Sequence, residues 1–312
     1  MTTPDRTDWL AQMTQLGNDT PELGAVLSPL LLHVRPSVMA QVADAATQWA
    51  ATKDGAPLPA LIDAMLLNNK LQLWTGAFAF QTKHALLTIA EEILIRREYH
   101  FKTTLAEPTV IDAGANIGLA AYYARRSCKA ARVICIEPHP ETFKVLTRNM
   151  DNPKLAGAEL HQAAVAAKEG EATLFFDTDA PLASSMDPRS GLDGLSETKV
   201  PCITLDPFLA EGPVGLLKID IEGAEADVLE AVADKLGQVE NIFVEVHPIP
   251  GAAPSLLARV LTVLENAGFF VHVSRSPWSE IAHRNYPLQN AYRTYSLSVY
   301  GTRIGSDGKR IS

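Results

Sequence analysis

What is scarce in this 312-residue chain narrows its reading first. There are three cysteines, Cys128, Cys135 and Cys202, with no CxxC pair, so neither a disulfide framework nor a zinc cluster is expected and a reducing compartment fits best. Positive charge is also in short supply. Against 36 Asp and Glu stand 27 Lys and Arg, a formal net charge of −9, which disfavours phosphate-backbone contact as a source of binding. Nucleic acid is therefore not an expected partner. Long apolar runs are missing: Leu27 to Val34 is short and broken by Ser28 and Pro29, and the opening MTTPDRTDWL has no cationic and apolar signal. The expectation is a cytoplasmic protein with no membrane partner. What remains is a globular composition, 47% hydrophobic and 20% charged, on a chain long enough for about two domains.

The pattern changes along the chain. From Thr7 to about Leu73 the periodicity is helical: Thr7 is placed to cap a run to Gly17, and Ser37 begins another that spaces Val38, Val42, Ala45, Ala46 and Trp49 at helical intervals. Thr82 to Arg97 is a further amphipathic helix, with Ala85, Leu86, Ile89, Ile93 and Leu94 on the face expected to pack on a following sheet. Residues 1–80 thus read as an all-helical region serving as a lid, a substrate element or a homodimer contact, and 81–312 as a second domain. After Pro108 strands and helices alternate: Thr109 to Asp112, Ile117 to Arg126, Arg132 to Ile136, Pro140 to Met150, then a strand near Ala158 to Val165 and an extended piece at Glu171 to Phe176. The series continues with Val214 to Ile221, Ala224 to Lys235, Asn241 to Val246, Pro254 to Ala267, Phe269 to Ser274 and Ser296 to Tyr300. Such alternation predicts a doubly wound α/β sheet, mostly parallel, with its ligand beyond the carboxyl ends of the strands. Thr178 to Lys199 and Ser276 to Tyr295 have no clear period; the second carries Trp278, Tyr286, Tyr292 and Tyr295, aromatic surface for an acceptor.

Three strand ends carry the chemistry. The first runs into Asp112-Ala-Gly114-Ala-Asn116-Ile-Gly118, a glycine turn opening a helix, where bare backbone can approach a ligand. Asn116 stands where a dinucleotide fingerprint needs its second glycine, and Asp112 would oppose a phosphate. A cationic nucleoside suits the turn better. The second strand ends in Glu137, a carboxylate able to accept from both hydroxyls of a ribose. The third, Leu216-Leu-Lys218-Ile-Asp220-Ile-Glu222-Gly223, alternates charged and apolar residues in a strand that should be apolar throughout, so Lys218, Asp220 and Glu222 project together into a polar cleft. Glu245 and His247 have the same parity on the next strand and should join them, as a proton-transfer cluster, an oxygen-rich divalent-metal site or a structural network about Lys218.

Taken together, EEILIRREYHF, VIDAGANIG, IEPHPETFKVL, LLKIDIEGAE and FVEVH make the chain from about Glu91 to Tyr300 resemble the FkbM-type family of S-adenosylmethionine-dependent methyltransferases. The resemblance implies the class I methyltransferase fold, Rossmann-like, with a seven-stranded sheet whose last strand is antiparallel. It implies methyl transfer to oxygen on a sugar, glycan or other small-molecule natural product, with S-adenosylmethionine as cofactor. Asp112, Gly114, Asn116 and Gly118 are then expected at the methionine end, Glu137 at the ribose, and Gln162, Ala163 and Ala164 at the adenine. Asp220, Glu222 and His247 are the candidate bases, with Lys218 and Glu245 beside them. Because Lys218 offsets charge within the cluster, metal-free catalysis is favoured over a divalent cation. A nicotinamide-dependent oxidoreductase or epimerase is the alternative; the missing GxGxxG and the lack of a Tyr-x-x-x-Lys pair in the sheet region count against it.

Overall fold

The computed structural model describes residues 5–155, 157–176, 184–185, 196–247, 256–275 and 296–303. The chain forms two compact units, Met1–Glu98 with Thr147–Ala156 and Tyr99–Leu146 with Gly157–Ser312.

The first unit begins with helices Arg6–Asp19, Pro21–Leu30, Met39–Thr52 and Pro57–Ala64. The first cap is Asp5 rather than Thr7: the carboxylate accepts from the Thr7 and Asp8 N–H groups at 2.8 and 3.3 Å, two of the donors that a helix start leaves without partners. Helix Met39–Thr52 follows a short 3₁₀ turn, Pro36–Val38, and buries Val42, Ala46 and Trp49 at the expected spacing. The all-helical expectation ends at Ala64. Leu66–Leu67, Lys70–Leu73 and Gly76–Phe78 form a three-stranded antiparallel sheet. Its first hairpin turns at Asn68 and Asn69, both in left-handed conformation (φ 53° and 54°), the geometry in which a two-residue loop matches strand twist. Helix Lys83–Ala90, capped by the Thr82 hydroxyl, continues into a π-helical turn, Glu91–Ile95, and buries Ala85, Leu86, Ile89, Ile93 and Leu94.

The second unit is built on seven strands: β1 Thr109–Ala113, β2 Arg132–Ile136, β3 Ala158–His161, β4 Val214–Ile219, β5 Val239–Val246, β6 Phe269–Arg275 and β7 Leu297–Arg303. Their order is β6-β7-β5-β4-β1-β2-β3, parallel except that β7 runs against both neighbours. This is the class I methyltransferase sheet. β4 is buried along its whole length and sits between β1 and β5, with Ile111, Ile134, Leu217, Ile219, Ile242 and Val244 in one apolar core. At roughly 1.5–3 kcal/mol for each such side chain, this core holds the strand ends that follow it in place.

A four-stranded sheet, absent from the sequence expectation, joins Ala164–Val165, Gly170–Phe176, Ser184–Ser185 and Ser196–Ile203. The single strand expected near Ala158 to Val165 is accordingly two, one in each sheet. Ser196–Ile203 was hidden because Pro201 argues against a ladder strand, yet Val200 and Cys202 are buried and Glu197 and Lys199 exposed, the alternation of a one-sided strand. The helix expected from Ala224 to Lys235 is α-helical over Glu225–Ala231 and 3₁₀ over Ala233–Gln238. Trp278, Tyr286, Tyr292 and Tyr295 lie outside the described residues.

Candidate active site

The sheet reverses direction of growth between β1 and β4: the chain steps outward through β2 and β3 and returns to β4 on the other side of β1. Two loops diverge at such a point and leave a crevice. Gly114, immediately after β1, and Asp220, immediately after β4, both line an open pocket with about 630 Å³ of empty space including its mouth.

Gly114 is the one residue type that fits its place. Its φ is +83°, and a Cβ there would stand 1.8 Å from the Asp220 carbonyl oxygen. The turn is tied down by Gly114 and Ala115 N–H groups donating to Ile136 O at 2.9 and 3.0 Å, and by Asp220 N–H donating to Ala113 O at 3.1 Å. Asn116, also left-handed, donates its N–H to Glu137 Oε2 at 2.9 Å. The other Glu137 oxygen accepts the His139 N–H at 2.9 Å. Two backbone donors therefore fix a carboxylate that still faces the pocket. Burial lifts its pKa to about 7 despite those two hydrogen bonds.

Other expected cofactor residues fall into two groups. Ala163 and Ala164 line the pocket with Asn116 and Glu137, joined by Val165 and Leu174, which the sequence reading missed. Leu174 enters through the four-stranded sheet, so its signal lay in a strand pairing rather than a motif. Asp112, Gly118 and Gln162 are not in the lining. Gly118 caps helix Leu119–Ser127 with φ +87°, and Gln162 is exposed in the break between β3 and Ala164–Val165. Asp112 is 1% exposed and lies beneath the turn, with the Lys218 ammonium as its partner among the described residues. Burial raises its pKa, opposed by the Lys218 ammonium at 3.2 Å.

Lys218 pairs in register with Asp112 on β1 and is itself almost wholly buried. Its ammonium donates to Gly114 O at 2.7 Å and lies 3.3 Å from Asp220 Oδ2, so it fastens the glycine turn to the end of β4. Lys218, Glu245 and His247 stand behind the pocket rather than in its wall, whereas Asp220 and Glu222 line it. His247, after β5, has Nδ1 3.0 Å from Glu225 Oε1 and Nε2 3.6 Å from Glu222, 3.8 Å from Glu245 and 4.0 Å from Asp220. The five charged residues expected to converge do so.

Glu225 is the site residue sequence reasoning passed over. It is wholly buried at the start of helix Glu225–Ala231 and also accepts the Gly223 N–H at 2.9 Å. Its signal was a charged residue where the helix faces the core. Glu222 takes a left-handed φ of 59°, an uncommon conformation for a side chain other than glycine, asparagine or aspartate. Burial, reinforced by Asp220 and Glu245 and opposed by His247, pushes its pKa up to about 7. For His247 burial acts downward, but the carboxylates of Glu222, Glu225 and Glu245 outweigh it and hold the imidazole well above its ordinary value.

Comparison with known proteins agrees with this geometry. The chain is 29% identical over 248 residues to Methyltransferase 1 of Beauveria bassiana (strain ARSEF 2860), covering 72% of this chain and 98% of that protein. It is 29% identical over 199 residues to the 31-O-demethyl-FK506 methyltransferase FkbM of Streptomyces tacrolimicus, covering 54% and 75% respectively. Over 154 residues it is 28% identical to the hexuronic acid methyltransferase AglP of Haloferax volcanii, covering 48% and 60%. Residues 112–271, from the buried aspartate of β1 into β6, match the model of the Methyltransferase FkbM domain, and the chain belongs to that family of methyltransferases.

Proposed function

We propose that this methyltransferase uses S-adenosylmethionine and methylates a hydroxyl oxygen of a small-molecule acceptor. The observation that carries the reading is Glu137: a carboxylate held by two backbone N–H groups at the end of β2, lining a pocket that the bare backbone of Gly114 also lines. The residues present fit the group. Glu137 can accept from both ribose hydroxyls, the Gly114 turn leaves room that a Cβ would fill, and Ala163, Val165 and Leu174 give an apolar wall for a purine. No run of phosphate-binding glycines competes with this reading.

When bound, S-adenosylmethionine supplies an electrophilic methyl group on a sulfonium leaving group. The chain's own work is then to hold the acceptor oxygen in line and receive its proton. Asp220 and Glu222 line the pocket and would accept that proton, with His247 behind them. Oxygen as the acceptor atom is favoured by the relatives whose names specify an O-demethyl compound and a hexuronic acid.

The deciding experiment is calorimetric titration of the purified protein with S-adenosylmethionine and, in parallel, NAD, followed by methyl transfer from labelled cofactor to a panel of hydroxyl and amine acceptors. Binding of the sulfonium cofactor, its demethylated product in the protein's mass spectrum, and label in hydroxyl acceptors are the expected results. NAD binding without S-adenosylmethionine binding would overturn the cofactor assignment, and label confined to amines would overturn the acceptor assignment.

A further inference from the structure

Lys218 does not serve the whole acidic cluster. Its ammonium is engaged by Gly114 O, Asp112 and Asp220 Oδ2, on the β1 side of β4. On the β5 side, His247 stands among the carboxylates of Asp220, Glu222, Glu225 and Glu245. Gathered carboxylates of this kind are stabilised by a proton or by a bound cation.

We propose that Asp220, Glu222 and His247 form a divalent-cation site with one nitrogen and at least two oxygen donors. Three observations converge on it. One donor atom from each of the three lies within 4.8 Å of the other two. Glu225, wholly buried, holds Nδ1 of His247 at 3.0 Å and has a second oxygen, Oε2, with no hydrogen-bond partner among the described residues. A buried carboxylate on one ring nitrogen, turning the other outward, is how metal-bound imidazoles are oriented. The third is the spacing about Nε2. Glu222, Glu245 and Asp220 stand 3.6, 3.8 and 4.0 Å away, too far for hydrogen bonds. Donors on a shared ion, each about 2.0–2.2 Å from it, sit roughly 3.0–3.6 Å apart, so Glu222 already stands at the upper end of that range from Nε2 and Asp220 a few tenths of an ångström beyond it.

The donor chemistry selects the ion. A mixed imidazole and carboxylate set suits Mn²⁺, Fe²⁺ or Zn²⁺ better than the all-oxygen shells typical of Ca²⁺ and Mg²⁺. Because Asp220 and Glu222 also line the pocket, the cation would border the space assigned to the acceptor, where it favours a hydroxyl compound able to offer oxygen ligands. That acceptor role rests on the proposed methyl-transfer reading, with Asp220 and Glu222 then holding the ion rather than receiving the proton; the existence of the site does not.

The test uses the full chain, freed of metal by chelation, with Mn²⁺ as the probe and no acceptor. Titration followed by the electron paramagnetic resonance of free Mn²⁺ is expected to give one bound ion per chain, with spin-echo modulation from a directly bound imidazole ¹⁴N. Glu222→Gln and His247→Ala are each expected to weaken Mn²⁺ binding at least about tenfold, and His247→Ala to remove the ¹⁴N signal. Wild-type protein that binds no Mn²⁺ at about 1 mM, or binds it without ¹⁴N modulation, overturns the site irrespective of how the variants fold. Undiminished binding in both variants overturns it as well. S-adenosylmethionine affinity, measured on the same wild-type sample, separates the two proposals: cofactor binding without Mn²⁺ binding removes the cation site alone, and the converse removes the cofactor reading alone.

Discussion

At the end of β2 the pocket carboxylate is held by backbone N–H groups, whereas at the ends of β4 and β5 the carboxylates are gathered about one imidazole. Glu137 takes two N–H groups at 2.9 Å and the glycine turn is tied to Ile136 O, so this side is shaped before any ligand arrives. His247 instead stands among carboxylates of which only Glu225 is within 3.5 Å. The first arrangement suits recognition, where geometry must be set in advance. The second suits chemistry, where charge must be able to move and pKa values are displaced. Lys218 touches both, and through Gly114 O and Asp220 it couples them.

Lys218→Met tests that coupling and should have the largest effect. It keeps the apolar stem but leaves Asp112 buried without its ion partner, and breaking one side of a buried pair costs about 3–5 kcal/mol. A thermal melt should fall sharply; a melt within a degree or two of wild type would mean that the two ends are independent. Next, Gly114→Ala puts a methyl group on a left-handed residue 1.8 Å from Asp220 O. Strain and overpacking together should amount to about 2–5 kcal/mol, with S-adenosylmethionine binding lost by calorimetry. Retained affinity would show that the turn does not set the cofactor side.

Smaller effects refine the comparison. Glu137→Ala should weaken the cofactor at least tenfold, about 1.4 kcal/mol, while the far-ultraviolet spectrum stays unchanged. Unaltered affinity would remove the ribose assignment. The pH dependence of the same group gives a finer measure. With a pKa of about 7 in the free protein, Glu137 is mostly protonated near pH 6 and mostly ionised near pH 8. If only the ionised form receives the ribose, affinity should rise roughly tenfold across that interval, and Glu137→Gln should lose this component. Stability moves the other way. The folded chain holds this proton above the ordinary value of 4.5, so the group's contribution is complete below about pH 4.5 and is lost as pH rises through about 7. A melting temperature measured against pH in both proteins checks the sign.

Much of the second unit was legible because its strands are short, apolar and separated by glycine or acidic ends. DAGANIG gave the turn, and the parity of Lys218, Asp220 and Glu222 correctly placed a polar face on a buried strand. The hairpin at Asn68 and Asn69 was missed, because the helical period on either side of it concealed a two-residue turn. Ser196–Ile203 was not legible: its stability comes from pairing with Gly170–Phe176, and Pro201 obscured the alternation.

The sequence by itself determined which residue types stand at each strand end and, through alternation, which way they project, because side-chain direction in a strand has a period of two. Strand order was open to it only through the family resemblance. Tertiary structure alone decided how the converging charges divide. Register across β1 and β4 gives Lys218 to Asp112, the helix after Gly223 brings buried Glu225 against His247 Nδ1, and the crevice exposes Asp220 and Glu222 while Lys218 and Asp112 stay beneath it. Those partners are far apart in the chain, and whether a carboxylate meets an ammonium, an imidazole or a pocket depends on distances of a few ångströms that strand pairing and helix packing set and local sequence does not encode.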